Sequence, residues 1–408
     1  VLSIDPDDVR AHYDRAGFAD VSDANLFDLA ARVVARPKRD AADSFVLHAP
    51  LELAARRMLL PLVAPRHRRA VRQRILTVAA AYERAGEPAE APSLTTFDSF
   101  AAGRAALVEA IGVGDLEQVD ATTSWIVEAA TSDQIMSLAG PTLDLLGAAG
   151  HASIAFFLTS RLADTSRSSL RLLRPTLREL AREADLRLDW IHRSTPPTGD
   201  EQQFANALAK TPRLGIPGSD FIYPIVHQVD RTGVAREVIE STLPSDARRA
   251  ERAILRVAAR SMLQDDSAFA PYGWTHCLTL PQAVLQIRGW LPDVDRAAAV
   301  AATYVVGFRA AVGRDAIDLE WSPEPTSVEL LPSLDEGPEI AARAWYHAED
   351  EAIAPALPEL IGRAAAHEDA HLAKYTYACL AAAQTDVAQR ALYRAAAASL
   401  AAWWAGQP

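Results

Sequence analysis

The sequence predicts a mainly α protein, a single large, bundle-like domain over residues 1–408. Three observations carry this. Apolar residues recur at three- and four-residue spacings rather than alternating. Alanine is the dominant residue. Helix punctuation repeats along the chain. The first helix shows the punctuation in full, with Asp5 as N-cap, Pro6 in the first turn, Asp7 and Asp8 following, and Gly17 as the stop.

The same signals predict helices near 23–36, 42–63, 66–84, 116–130, 150–163 and 168–186, the last kinked or split by Pro175. Further helices are expected near 200–210, 233–242, 246–263, 280–290, 294–313, 338–355, 358–383 and 386–404. The segment Asp220 to Val229 reads as a short strand or a buried turn. Loops are marked at Glu87–Pro92, at Thr195–Gly199, and at Trp321–Pro338 with its four prolines. No stretch has the Gly/Ser composition of a linker between independent domains, and no fixed-period repeat appears.

With 41 Lys+Arg against 53 Asp+Glu, the formal charge is −12, which argues against a nucleic-acid binder held by phosphate contacts. Half the residues are hydrophobic and 23% are charged, proportions that support a sizeable core rather than disorder. Cys277 and Cys379 are the only cysteines, too few for a disulfide framework, so a reducing cytoplasm is expected. The opening VLSIDPDD has neither a basic start nor an apolar run, and shows no secretory signal. The most apolar long stretch, Thr142–Leu162, is interrupted by Asp144, His151 and Arg161, so no membrane span is expected.

Several common chemistries lack their motifs. The nearest match to G-x-G-x-x-G, at Gly112-Val-Gly114, lacks the third glycine and a preceding strand, which argues against a Rossmann cofactor site. There is no phosphate-binding loop and no G-x-S-x-G elbow.

The ten histidines are more informative. His12, His67, His192 and His347 lie in polar or mixed surroundings and read as surface or capping residues. His48 leads into Leu51, Leu53, Met58, Leu59 and Leu60. His151 follows Gly147-Ala148-Ala149-Gly150 and precedes Ile154-Ala155-Phe156-Phe157-Leu158. His276 sits between Trp274 and Leu278. Any one of these, like His227, is more often a packed core histidine than a ligand; an imidazole among apolar neighbours needs either a hydrogen-bond partner or a metal.

The densest cluster is His367-Glu368-Asp369-Ala370-His371-Leu372-Ala373-Lys374. On one continuous helix, His367 and His371 share a face, and so do His371 and Lys374. One reading is H-E-x-x-H, two zinc-binding histidines and a glutamate base. Against it, Asp369 places a charge inside the motif and no glutamate follows Glu368 to act as third ligand. A di-iron carboxylate bundle needs a second Glu-x-x-His, which the chain lacks.

A third reading joins the buried histidines. Asp369-x-His371-x-x-Lys374, the apolar helix with His48, the Gly150-His151 segment before its aromatic run, and His276-x-x-Thr279 together resemble, in order and over nearly the whole chain, the questin oxidase-like family. The resemblance implies an oxygenase of polyketide metabolism that opens an anthraquinone ring. It implies a metal site at the centre of the helical domain, with mononuclear non-haem Fe(II) held by His48, His151, His276, His371 and Lys374, the last carboxylated on its amine. It further implies a small aromatic substrate and O2, with NADPH as a candidate reductant.

The chemistry of these residue types is compatible. Imidazole suits Fe(II), and a hard anionic oxygen complements it. A lysine buried among apolar residues loses its proton readily and, once neutral, can add CO2 to form a carbamate. Thr279 is expected to orient substrate or oxygen, or else to cap a helix before Pro281. Asp369 is expected to orient a ligand imidazole, or else to be a solvated acid. The rival readings are a zinc hydrolase and a non-catalytic helical binding protein. Oligomeric state is not legible in the sequence.

Overall fold

A computed structural model describes residues 4–163, 166–193, 197–216 and 222–407. Nearly all of them fall in helices or in the turns between helices, and only isolated bridges interrupt this, such as Leu145 with Arg187. The mainly α expectation holds. Among the described residues no helix is long and apolar enough to cross a membrane. The chain divides into two units: residues 1–187 with 289–292 and 365–370, and residues 188–288 with 293–364 and 371–408.

In the first unit the helix Ser44–Leu59 packs against Pro65–Arg84 and against Ala152–Leu162. It begins where the Asp43 carboxylate accepts the Val46 N–H at 2.7 Å, satisfying a donor that the helix cannot. Helices Phe100–Val113 and Leu116–Ala129 pack on each other through a turn made by left-handed Gly114 and the N-cap Asp115. Leu173–Arg182 packs on both and also on Ala152–Leu162.

One buried interaction ties distant parts of this unit together. Arg56, fully buried, donates to Glu52, to the Ala365 carbonyl and to the His367 carbonyl. Arg74 donates to the same Glu52 carboxylate at 3.0 Å and to the Glu368 carbonyl at 2.6 Å. Two guanidinium groups thus take up carbonyls where the helix Asp350–Ala366 ends, the favourable end for a cation.

In the second unit Val294–Val312 is the central element. Its run from Ala297 to Ala310 is buried on all sides, as expected for a helix with no charge between Arg296 and Arg309. It packs on Ile222–Arg231, Val234–Thr242, Ala247–Gln264 and Thr275–Gln286. Gly307 permits the first contact: a Cβ there would lie 3.1 Å from Ile225. Arg309 pairs with Asp265 at 2.7 Å, and both side chains are buried. Asp265 also accepts the Arg314 N–H at 2.9 Å, closing the end of the central helix.

Four expectations about elements are corrected. The segment read as strand or turn at Asp220–Val229 is helical over Ile222–Arg231; Asp220 and Phe221 lie outside the described residues. Its apolar Ile222, Ile225, Val226 and Val229 follow the helical period despite their β-branching. A helix over Phe100–Val113 was not expected at all. The split near Pro175 falls earlier, at Arg171–Leu172, and Pro175 occupies the first turn of the next helix, where its missing N–H costs nothing. The helices expected at 338–355 and 358–383 are instead Pro338–His347, Asp350–Ala366 and Ala370–Thr385. Of the loop expected at Thr195–Gly199, Thr195 and Pro196 lie outside the described residues.

Candidate metal centre

In the first unit, His48 projects from the first turns of Ser44–Leu59 and is 9% exposed. Its Nδ1 donates to the Ser44 carbonyl at 2.5 Å. His151 stands at the N-terminus of Ala152–Leu162 and is 1% exposed. It is set there by three successive left-handed residues, Ala148 (φ 51°), Ala149 (φ 48°) and Gly150 (φ 72°). Two of these are alanines, which adopt that conformation only at a cost of about 1–2 kcal/mol each. The turn is held by the Ala148 N–H donating to Glu183 at 2.9 Å. His151 Nδ1 donates to the Ala148 carbonyl at 3.2 Å. The two imidazoles meet edge to face, with centroids 4.7 Å apart.

In the second unit, a single π-helical turn, Ala270–Trp274, runs into the helix Thr275–Gln286. Such turns insert one residue into the helical ladder and re-aim the side chains that follow. His276, 4% exposed, donates through Nδ1 to the Tyr272 carbonyl within that turn. Its ring stacks on Phe308 at 6.2 Å and meets His371 edge-on at 4.9 Å. His371 is the second residue of Ala370–Thr385, and Lys374 lies one turn on, 3% exposed. Burial holds the His371 imidazole well below its ordinary pKa.

A carbonyl oxygen only accepts, so Nδ1 carries the proton in His48, His151 and His276. Nε2 is then the nitrogen with the lone pair in each. Metal-binding histidines are oriented in this way, the outer nitrogen donating to a carbonyl or carboxylate so that ring and tautomer are fixed. Burial pushes the Cys277 thiol up to about 12, and Cys379 is pushed up by burial as well.

Two expectations about this region are corrected. Thr279 does not cap a helix. It lies inside Thr275–Gln286, is buried, and its hydroxyl donates to the Thr275 carbonyl at 2.9 Å; Pro281 is likewise interior. His367 and Glu368 are not on the helix with His371. Asp350–Ala366 stops before them and Ala370–Thr385 starts after them, so the i,i+4 register that H-E-x-x-H needs is absent. His367 Nδ1 instead accepts the Asp369 N–H at 3.0 Å across the bend.

Of the remaining histidines, His12, His192 and His347 fall as read from the sequence, whereas His227 is half-buried rather than packed in the core. His12 bonds the Asp8 carbonyl, His347 bonds the Pro323 carbonyl, and His192 is exposed. His227 stacks on Tyr223. Sequence reasoning missed Tyr272, whose carbonyl holds His276 and whose ring stands 5.1 Å from His371. The signal was Pro271-Tyr272-Gly273, an irregular start for an apolar helix.

No family model, curated protein or solved structure matches the chain.

Proposed function

We propose that the protein is a mononuclear non-haem Fe(II) oxygenase of the questin oxidase-like kind, which inserts oxygen into an aromatic polyketide and cleaves a ring C–C bond. The ligands in this reading are His48, His151, His276, His371 and a carboxylated Lys374. The observation that carries it is the shared anchoring of three imidazoles, each donating through Nδ1 to a carbonyl three or four residues back. His12, near the surface, uses the same anchor, so what favours ligation at the other three is that they combine it with burial.

The donor set fits the ion. Neutral imidazoles and one anionic oxygen suit Fe(II) better than a thiolate-rich site would, and Lys374 supplies that oxygen only as its carbamate. Bound iron supplies the activation of O2. The chain's own residues do the rest. Thr279, three residues beyond His276, has its hydroxyl proton committed to the Thr275 carbonyl, so toward a bound phenol it acts as an acceptor through its lone pairs. Asp369 precedes the helix that carries His371 and Lys374, and in this reading sets their approach. With both thiols buried and reduced, a cytoplasmic setting is part of the proposal.

Oxygen uptake with a hydroxyanthraquinone, with and without NADPH, tests this reading. The proposal expects iron-dependent uptake and a ring-opened product with oxygen incorporated from O2. Uptake that needs NADPH assigns a monooxygenase, and uptake without it a dioxygenase. Absence of uptake by protein carrying a full complement of iron overturns the proposal.

A further inference from the structure

We propose that a cleft in the second unit, along the helix Ala247–Gln264, binds a phosphorylated polyol whose phosphate is held by Arg249 and Arg252. The cleft has a volume of about 480 Å³; Arg249, Arg252 and Arg256 line it from that helix, with Asp200, Asp246 and Asp386 around them. With Arg260 one turn further on, the four arginines fall within an arc of about 80° on one helix face. They are progressively buried. Arg249 is exposed, Arg252 and Arg256 are half-buried, and Arg260 is 3% exposed. A stripe of guanidinium groups running into the protein is costly unless anions meet it.

The carboxylates of the cleft answer only part of this charge. Glu201 takes Arg256 at 3.0 Å, and Asp386 takes it through two N–H groups at 2.6 and 2.9 Å. Asp200 and Asp246 accept the Gln203 and Arg249 backbone N–H groups, each at 2.8 Å, and so cap the helices Glu201–Lys210 and Ala247–Gln264. Among the described residues, Arg249 and Arg252 make no side-chain ion pair or hydrogen bond. Arg260 donates through Nη2 to the Leu319 carbonyl at 2.6 Å, whereas its buried Nε and Nη1 meet no acceptor. Guanidinium donors are therefore in surplus, in the fork geometry that matches phosphate oxygens. The walls define the rest of the ligand. Among the described residues no aromatic ring lines the cleft, and Pro244 and Ala388 are its largest apolar groups, so a flat or long apolar ligand finds no surface there. Asp200 and Asp246 each spend one oxygen as a cap and keep the other for a hydroxyl donor. Nothing in this site depends on the metal centre or on oxygenase chemistry.

Isothermal titration calorimetry of the full-length protein with glucose 6-phosphate tests this, with glucose and inorganic phosphate run in parallel. Saturable binding of glucose 6-phosphate is expected, about ten-fold or more tighter than inorganic phosphate, with none of glucose. Arg252→Gln should weaken it by about ten-fold or more, and Arg249→Gln, at the more exposed position, by a few-fold. Neither substitution breaks an ion pair, so both variants should melt as wild type does, which makes their loss of affinity local to the cleft. No saturable binding of glucose 6-phosphate, inorganic phosphate or glucose binding as tightly, or equal affinity in wild type and Arg252→Gln overturns the inference.

Discussion

Arg56 donates through Nη2 to the carbonyl oxygen of His367 at 2.6 Å, across 311 positions of sequence. The same guanidinium is paired with Glu52 at 2.6 Å, and neither side chain is more than 2% exposed. A buried cation therefore holds the bend from which the helix of His371 and Lys374 begins.

Removing that cation should be costly. Arg56→Met leaves the buried Glu52 carboxylate with Arg74 alone and strips two carbonyls of their donors. The expected loss is about 3–5 kcal/mol of unfolding free energy in urea titration. Glu52→Leu added to Arg56→Met should recover part of it, since no unpaired buried charge then remains. A loss under about 1 kcal/mol would show that the clamp carries little of the fold.

His367 makes this bend sensitive to acid. Burial lowers its pKa from 6.5, ahead of the opposing effect of Asp369. The unfolded chain therefore binds a proton more readily than the folded one, and its contribution to stability is fully present above pH 6.5 and lost as pH falls from there through the folded value. Protonation also takes the Nδ1 lone pair that accepts the Asp369 N–H. The stability of metal-free protein should fall between pH 7 and 5, and His367→Gln should flatten that slope. An unchanged slope in the variant would assign the acid sensitivity elsewhere.

Ala149 is held at φ 48°. Ala149→Gly should relieve strain and raise unfolding stability by about 0.5–1 kcal/mol. It also loosens the turn that presents His151, so metal affinity should fall while stability rises. Thermal melts and metal titration on the same protein separate the two effects; a variant less stable than wild type would mean that the left-handed turn is not strained.

Lys374 is expected to serve through its carbamate. Lys374→Ala should lose iron by about ten-fold or more, and a short carboxylate such as propionate should restore part of it. Labelled bicarbonate should enter the wild-type protein as a carbamate carbon visible by NMR. Iron retained in full by Lys374→Ala would remove lysine from the ligand set.

Much of the helical architecture was legible because capping chemistry is local. Asp5 does accept the Asp7 N–H, and Gly17 does take a left-handed conformation at the end of its turn. What escaped depended on tertiary contacts. Gly103 and Gly112 weaken the helical signal of Phe100–Val113, yet Gly103 is there because a Cβ would lie 2.6 Å from the Trp125 ring. Pro281 reads as a helix start, but it lies buried inside a helix that begins at Thr275. Apolar neighbours correctly marked His48, His151 and His276 as buried, whereas their common tautomer rests on carbonyls three or four residues back, set by local turn geometry that the residue pattern does not show. The break at 367–369, invisible in an alanine-rich stretch, is where Arg56 and Arg74 donate to the His367 and Glu368 carbonyls.

The central claim is that His48, His151, His276, His371 and Lys374 serve one iron. Elemental analysis of untagged protein, purified anaerobically without chelators, tests it most directly, with His48→Ala and His276→Ala prepared in parallel. About one iron per chain is predicted for wild type, falling by about ten-fold or more in each variant. Wild-type protein with zinc in place of iron, with no metal, or with iron that survives the loss of either histidine would contradict the account.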